Sequence, residues 1–188
     1  MGNYENAGAG IKKMWIASLG SLICVVVMII PVIGILAAIA ALVFMVMSMI
    51  GLNQAGKDID GCRTAFGLTI VNIILSVIGA LFESGVMHVI IQIAGYVVSF
   101  MVTYLVCTSV GDVMNRIGDV EAAHSGEIAW KINAVCSVLL VLIVIVMMLP
   151  VFGILAGMAG AFIALIPSLL SEVFYMLFLG KSNHALNG

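Results

Sequence analysis

Charge is the scarcest property of this sequence, because Asp, Glu, Lys and Arg together make up 9% of its 188 residues. A soluble domain carries about 25% charged residues, whereas hydrophobic residues reach 64% here. A water-soluble fold of this length would lack the polar residues needed to cover so much apolar surface. The composition therefore predicts a chain that is solvated by a lipid bilayer.

Basic clusters, cysteine frameworks and catalytic motifs are also lacking. The net charge is −2 without a basic stripe or tail, which argues against a nucleic-acid partner. Cys24, Cys62, Cys107 and Cys136 match no metal or disulfide spacing, and we interpret them as small buried apolar residues in a reducing compartment. Neither a phosphate-binding glycine loop nor a Ser-His-Asp arrangement can be assigned. We therefore expect no metal, no cofactor and no enzymatic activity.

Two long runs without charge are the most informative features present. One extends from Met14 to Gly56, and the other lies between Lys131 and Glu172. A helix needs roughly 20 apolar residues to cross about 30 Å of hydrocarbon, so each run is long enough for two crossings. Pro31 and Pro150 lie near the middle of these runs, and proline suits the first turn of a following helix. Each run therefore predicts a helical hairpin that turns at its proline.

The middle of the chain predicts a third hairpin, with helices over 66–82 and 86–110 and a turn at Glu83-Ser84-Gly85. Apolar runs of this length do not alternate as barrel strands do, and backbone groups in a bilayer must bond internally. The predicted fold is an all-α, polytopic transmembrane bundle of six helices. It forms a single domain with hairpins at about 14–56, 64–110 and 129–180.

Residues 111–128 form the longest link between hairpins. Val113, Ile117 and Val120 fall on one helical face. We interpret the link as an amphipathic, cytoplasmic extension of the fourth helix, which breaks near Ser125-Gly126.

An internal repeat relates the first and last hairpins. The sequence PVIGILA at 31–37 matches PVFGILA at 150–156, and Lys12 and Lys131 lie the same distance before the two prolines. The middle hairpin joins more weakly, through Ala65-Phe66 and Ala129-Trp130. These matches predict three parallel two-helix repeats, since a two-helix unit returns to the side on which it starts.

The basic residues all fall on one side of the predicted membrane. In the six-span topology, the side of the termini contains all seven Lys and Arg residues: Lys12, Lys13, Lys57, Arg63, Arg116, Lys131 and Lys181. Positively charged short loops stay in the cytoplasm. We expect a multi-pass protein of the plasma membrane with both termini in the cytoplasm.

Three short segments carry a resemblance to a known group of proteins. AGIKK at 9–13, PVIG at 31–34 and AGKD at 55–58 resemble segments of small, uncharacterised multi-span membrane proteins of Gram-positive anaerobic bacteria. The resemblance implies a bacterial plasma membrane, and it brings no activity and no functional residues.

Polar residues within the apolar runs are the candidates for an ion or substrate site, because polar groups are costly in a bilayer. Glu172 is the foremost, on a sixth helix that is longer than one crossing requires and that we expect Pro167 to kink. Glu172 is a candidate proton or cation site; alternatively, it snorkels to the interface or bonds to Asn133. Asn72, Gln92 and Asn133 either bond between helices, which we favour, or line a narrow polar path.

Glu83 and His88 flank the predicted outer turn of the middle hairpin. A carboxylate and an imidazole at this spacing are a candidate outer site that binds a cation or senses pH. The alternative, which we favour, is that Glu83 marks the boundary with water.

Small residues mark candidate packing faces on the second and sixth helices. Small or apolar residues recur every four positions after Gly34 on the second helix and after Gly153 and Gly157 on the sixth. This spacing lets helices approach closely. The favoured partner is another helix of the same chain, and the alternative is a second copy in a homo-oligomer.

The sequence favours a small transport or channel-type protein, since three similar hairpins are able to surround a path. A structural or assembly protein that oligomerises or holds a partner is the alternative, supported by the scarcity of charge within the membrane.

Overall fold

A computed structural model describes residues 4–27, 31–82, 85–147 and 153–187, with residues 31, 32, 147 and 153–162 described by backbone alone. The helices are α1 Glu5–Val27, α2 Pro31–Ala55, α3 Asp60–Leu81, α4 Val86–Ile117, α5 Val120–Met147 and α6 Gly153–Asn187. Each helix is long and apolar enough to cross a bilayer. The predicted all-α bundle of six helices is therefore confirmed, and the chain is a multi-pass membrane protein.

The helices form a ring in chain order. Each packs against the next, α6 returns to α1, and α4 also contacts α6. The start of α1 meets the end of α6, where the Asn187 side-chain amide donates to the carbonyl of Gly8 at 3.0 Å. We call this end of the bundle the termini end. The opposite end, at which α2, α4 and α6 begin, is called the turn end.

The tightly packed core of the bundle lies at the termini end. Its largest fully buried side chains include Ile11, Met14, Met114, Phe178 and Leu179, and residues of all six helices join the same cluster. Around this core the helices expose many large apolar side chains along their length, as expected where lipid covers the surface. The bundle is therefore closed by apolar packing at one end.

Helix α1 begins at Glu5, nine positions before the start that the apolar run predicts at Met14. The free N–H groups of its first turn require partners, and the carboxylate of Asp58, in the link between α2 and α3, accepts from one of them. The backbone N–H of Ala7 donates to Asp58 Oδ2 at 2.8 Å, and Asn6 Nδ2 donates to Asp58 Oδ1 at 3.1 Å. This cap lets the helix extend beyond the apolar run.

The helical extension of α4 ends at Gly118, and α5 begins two residues later. The predicted break near Ser125-Gly126 is therefore wrong. Gly118 has a φ of 90° and ends α4, a conformation that glycine adopts readily. Asp119 then accepts a bond of 2.9 Å from the Ala122 N–H at the start of α5. Gly126 lies inside α5. A Cβ there would come within 2.7 Å of the Phe178 ring, so this glycine permits close packing between α5 and α6 rather than a turn.

The prolines show how much of the predicted hairpin geometry the structure describes. Pro31 begins α2, as predicted. Pro150 lies outside the described residues. Pro167 lies within α6, which is helical from Gly153 to Asn187. The kink at Pro167 and the threefold repeat remain predictions.

A close backbone approach joins α1 to α2 through a glycine pair. A Cβ on Gly10 would lie 2.5 Å from the carbonyl oxygen of Gly51, and one on Gly51 would lie 2.7 Å from that of Gly10. The surroundings of the predicted packing residues Gly153 and Gly157 lie outside the description, and Gly34 is half-buried. Their packing role therefore remains a prediction.

Candidate functional site

A polar cavity of about 470 Å³ lies directly above the packed core, and all six helices contribute to its wall. Most of its polar side chains are hydroxyls or amides: Ser18, Ser21, Ser48, Thr69, Asn72, Ser99, Thr103, Asn133, Ser137, Ser168 and Ser171. Glu172 supplies an acidic group. Hydroxyl and amide groups that the sequence spreads over six helices thus face one partly open space.

The cavity lies within the apolar spans rather than beyond them. Glu172 is about 14 Å along α6 from Lys181, and Ser18 is about 8 Å along α1 from Lys13, at 1.5 Å per residue. Both distances are shorter than the roughly 30 Å of bilayer hydrocarbon. The site therefore occupies the half of the membrane span nearer the termini end.

The Glu172 side chain is held by the first helix. Ser18 Oγ donates a hydrogen bond of 2.5 Å to Glu172 Oε1, and both residues line the cavity. Asn133 is a predicted hydrogen-bond partner of this carboxylate, but in the structure the carboxylate bonds to Ser18. The bond fixes the carboxylate at the junction of α1 and α6.

Asn133 joins α5 to α6 and leaves one acceptor free. Its Nδ2 donates to Ser171 Oγ at 2.5 Å, so the predicted bond between helices is present. Its Oδ1 is buried in the described structure without a hydrogen-bond partner, which is a costly state for a polar atom. Asn133 also lines the cavity, and a ligand there that donates a hydrogen bond would relieve this cost.

Three other hydroxyls in the wall already donate hydrogen bonds within their own helices. Thr69, Thr103 and Ser168 each donate to the carbonyl four residues earlier in their own helix, at 2.9, 3.3 and 2.9 Å. A hydroxyl has one proton and two lone pairs, so each oxygen keeps its capacity to accept. These three hydroxyls therefore face the cavity as hydrogen-bond acceptors.

Aromatic rings complete the wall. Phe44, Tyr96 and Tyr175 line the cavity, and Tyr175 also packs against the core at the termini end. The α1 glycine Gly20 leaves room for the Phe44 ring, since a Cβ on Gly20 would collide with it.

A second cavity, of about 360 Å³, extends from the first towards the turn end. It shares Ser21, Tyr96 and Glu172 with the first cavity and continues along Val25 and Leu165.

None of the described residues that line this second cavity belongs to the packed core. Beyond the polar cavity, Cys24 and Ala37 are buried among the hydrophobic side chains that the structure describes. The packed core that the structure describes thus lies on the termini side of the polar cavity.

Two predicted site groups lie elsewhere. Gln92 is exposed on α4, and it is not among the residues that line the cavity. His88 Nδ1 contacts the carbonyl oxygen of Phe82 at 2.7 Å, which places its ring against the end of α3. Glu83 lies outside the described residues, so its pairing with His88 remains a prediction.

The sequence provides little signal for the contributions of α1 and α2. Ser18, Ser21 and Ser48 are single small hydroxyls in strongly apolar helices, where serine commonly serves helix packing. Their hydroxyls become part of a site only because the ring closes α1 onto α6. The one available signal is the spacing of Ser18 and Ser21, which lie three residues apart and therefore on one face of α1.

Comparison of the chain with protein-family models, curated proteins and solved structures gave no match.

Proposed function

We propose that this membrane protein transports a small polar solute and that the cavity beside Glu172 is its binding site. The observation that carries the proposal is the convergence of polar groups from six helices on one space inside the apolar spans. Polar groups at membrane depth are costly and usually mark substrate or ion pathways. A purely structural bundle gains nothing from a cavity that leaves Asn133 Oδ1 unpartnered.

The proposed orientation follows from the basic residues. Lys13, Arg63 and Lys181 lie towards the termini end of α1, α3 and α6, and positive short loops stay in the cytoplasm. The termini end therefore faces the cytoplasm of a plasma membrane in this proposal. The packed core at the termini end is then the inner seal.

Transport requires a second state in which this seal is open. Such rocking of helices around a fixed site is how many transporters give each side access in turn. Opening the inner side would separate the core around Met14, Met114 and Phe178. The protein acts as a single chain in this proposal, because its own six helices complete the wall.

Thiol labelling from each side of the membrane tests this function without knowledge of the solute. Ser99 is exposed and lines the cavity, so Ser99→Cys places a reporter in the site. A charged, membrane-impermeant methanethiosulfonate is applied to intact cells and to inverted vesicles. We expect Ser99→Cys to react from both sides, because the site faces each side in turn.

Met101→Cys is the matched control on the same helix. Met101 is 44% exposed and does not line the cavity, so a charged reagent would have to enter lipid to reach it. Both variants are made in a Cys136→Ala parent, because Cys136 is buried but lines the same cavity, and this parent gives the background. Reaction of Ser99→Cys from one side alone would contradict transport and favour a structural or assembly role.

A further inference from the structure

Glu172 is the acidic group of the cavity, and its wall contains, among the described residues, no Lys, Arg or His. Two basic groups at the termini end are engaged elsewhere: Lys13 with Gln54 at 2.6 Å and Lys181 with Glu121 at 2.7 Å. An ionised carboxylate in an apolar surrounding attracts a cation strongly, so this acidic group favours a cationic ligand.

The hydrogen-bonding groups near Glu172 agree with this preference. Asn133 Oδ1 is an unpartnered acceptor, and Ser18 Oγ already donates its hydrogen bond to Glu172. Thr69 and Thr103 donate within their own helices. A ligand with an N–H donor would satisfy Asn133 Oδ1.

The size and the rings of the cavity favour an organic cation over a bare metal ion. A volume of about 470 Å³ is within the range of roughly 300–1,000 Å³ that is usual for small-molecule sites. Phe44, Tyr96 and Tyr175 supply aromatic rings, whose faces attract cations. A metal ion would leave most of this space, and all three rings, without contact.

We infer that the cavity binds a small organic ammonium ion, held by Glu172 and packed against the three aromatic rings, with Asn133 accepting an N–H where the ion carries one. This inference rests on the proposed function, since it names the solute class of the same site. The Glu172 carboxylate supplies the charge partner, and Asn133 Oδ1 accepts one N–H.

Four ligands of matched shape test the inference by calorimetry on purified protein in detergent, with protein-free micelles as the blank. They are phenethylammonium, phenethyltrimethylammonium, 2-phenylethanol and 3-phenylpropanoate. We expect the two cations to bind and the alcohol and the carboxylate to bind at least about tenfold more weakly. Binding of the alcohol or carboxylate as tightly as the cations would overturn the inference.

Removal of the charge partner gives the second arm. We expect Glu172→Gln to weaken both cations by about 10- to 100-fold, because each loses its charge partner in an apolar surrounding. Glu121→Gln removes the same charge from an exposed site at the termini end and should leave binding unchanged. Glu172→Asp keeps the charge and should retain cation preference, which guards against a variant that merely misfolds. Unchanged affinity in folded Glu172→Gln would overturn the inference.

The N–H donor is tested by Asn133. Asn133→Ala should weaken phenethylammonium by about tenfold and leave the trimethylated cation, which has no N–H, nearly unaffected. Ser171→Ala removes the partner of Asn133 Nδ2 but keeps the amide oxygen, so it should not produce this difference. Equal losses for both cations in Asn133→Ala would overturn the role given to its oxygen.

The inference and the proposed function fail in different ways. Labelling of Ser99→Cys from both sides, with no preference for cations, would leave transport standing and overturn the solute class. Cation binding that depends on Glu172, with labelling from one side alone, would confirm the binding site and overturn transport.

Discussion

Ser18 Oγ donates a hydrogen bond of 2.5 Å to Glu172 Oε1, joining the first and last helices across 154 positions of the chain. The bond closes the ring of helices at the level of the cavity and fixes the carboxylate in its wall. The first helix therefore positions the charge of the site, although the sequence marks α1 by little more than isolated serines.

Loss of the Ser18 hydroxyl tests this closure. We expect Ser18→Ala to lower the free energy of unfolding by about 1–3 kcal/mol, because a buried acceptor loses its donor. Thermal or denaturant unfolding in detergent measures the change. Ser21→Ala is the matched control one turn along α1, with an expected change within about 0.5 kcal/mol. Equal effects at both positions would contradict a specific role for Ser18.

The cap on α1 predicts a separate stability effect at the termini end. Asp58→Ala removes the acceptor of the Ala7 N–H and the Asn6 amide, and caps are typically worth about 0.5–2 kcal/mol. We expect a lower melting temperature and faster proteolysis of the first residues of α1. Asp112→Ala, at an exposed position on α4, should change neither. A melting temperature that is insensitive to Asp58→Ala would show that α1 does not need this cap.

The glycine pair between α1 and α2 predicts a steric effect. Gly10→Val would place side-chain atoms against the backbone of Gly51, where even a Cβ would lie 2.5 Å from the carbonyl oxygen. Overpacking of this kind costs about 1–3 kcal/mol or more. Gly67→Ala is the control, since a Cβ there meets no atom within 4 Å. Comparable unfolding free energies for the two variants would contradict the close approach.

The fold could be predicted from sequence because it depends on length and charge. Apolar runs long enough for two crossings give the helix number, and Pro31 marks the start of α2. Both depend on backbone rules that act locally. The start of α1 could not be predicted in this way, because its cap comes from Asp58, which is distant in sequence.

The candidate site was predictable only in part. Glu172, Asn133 and Asn72 are conspicuous because amides and carboxylates are rare in apolar helices, and all three line the cavity. Gln92 is equally conspicuous but lies outside it, because a residue type does not tell which face of a helix points inward. The role of Ser18 depends on the contact between α1 and α6, which is a property of the folded ring.

Uptake of labelled phenethyltrimethylammonium into proteoliposomes tests the central claim, that the cavity beside Glu172 carries a cationic solute across the membrane. This permanent cation crosses lipid poorly, so uptake above protein-free vesicles reports the protein. We predict uptake by the wild type and by Glu121→Gln, and a loss of at least about tenfold in Glu172→Gln. Uptake that is equal in Glu172→Gln and the wild type, or absent from folded wild-type protein, would contradict the claim.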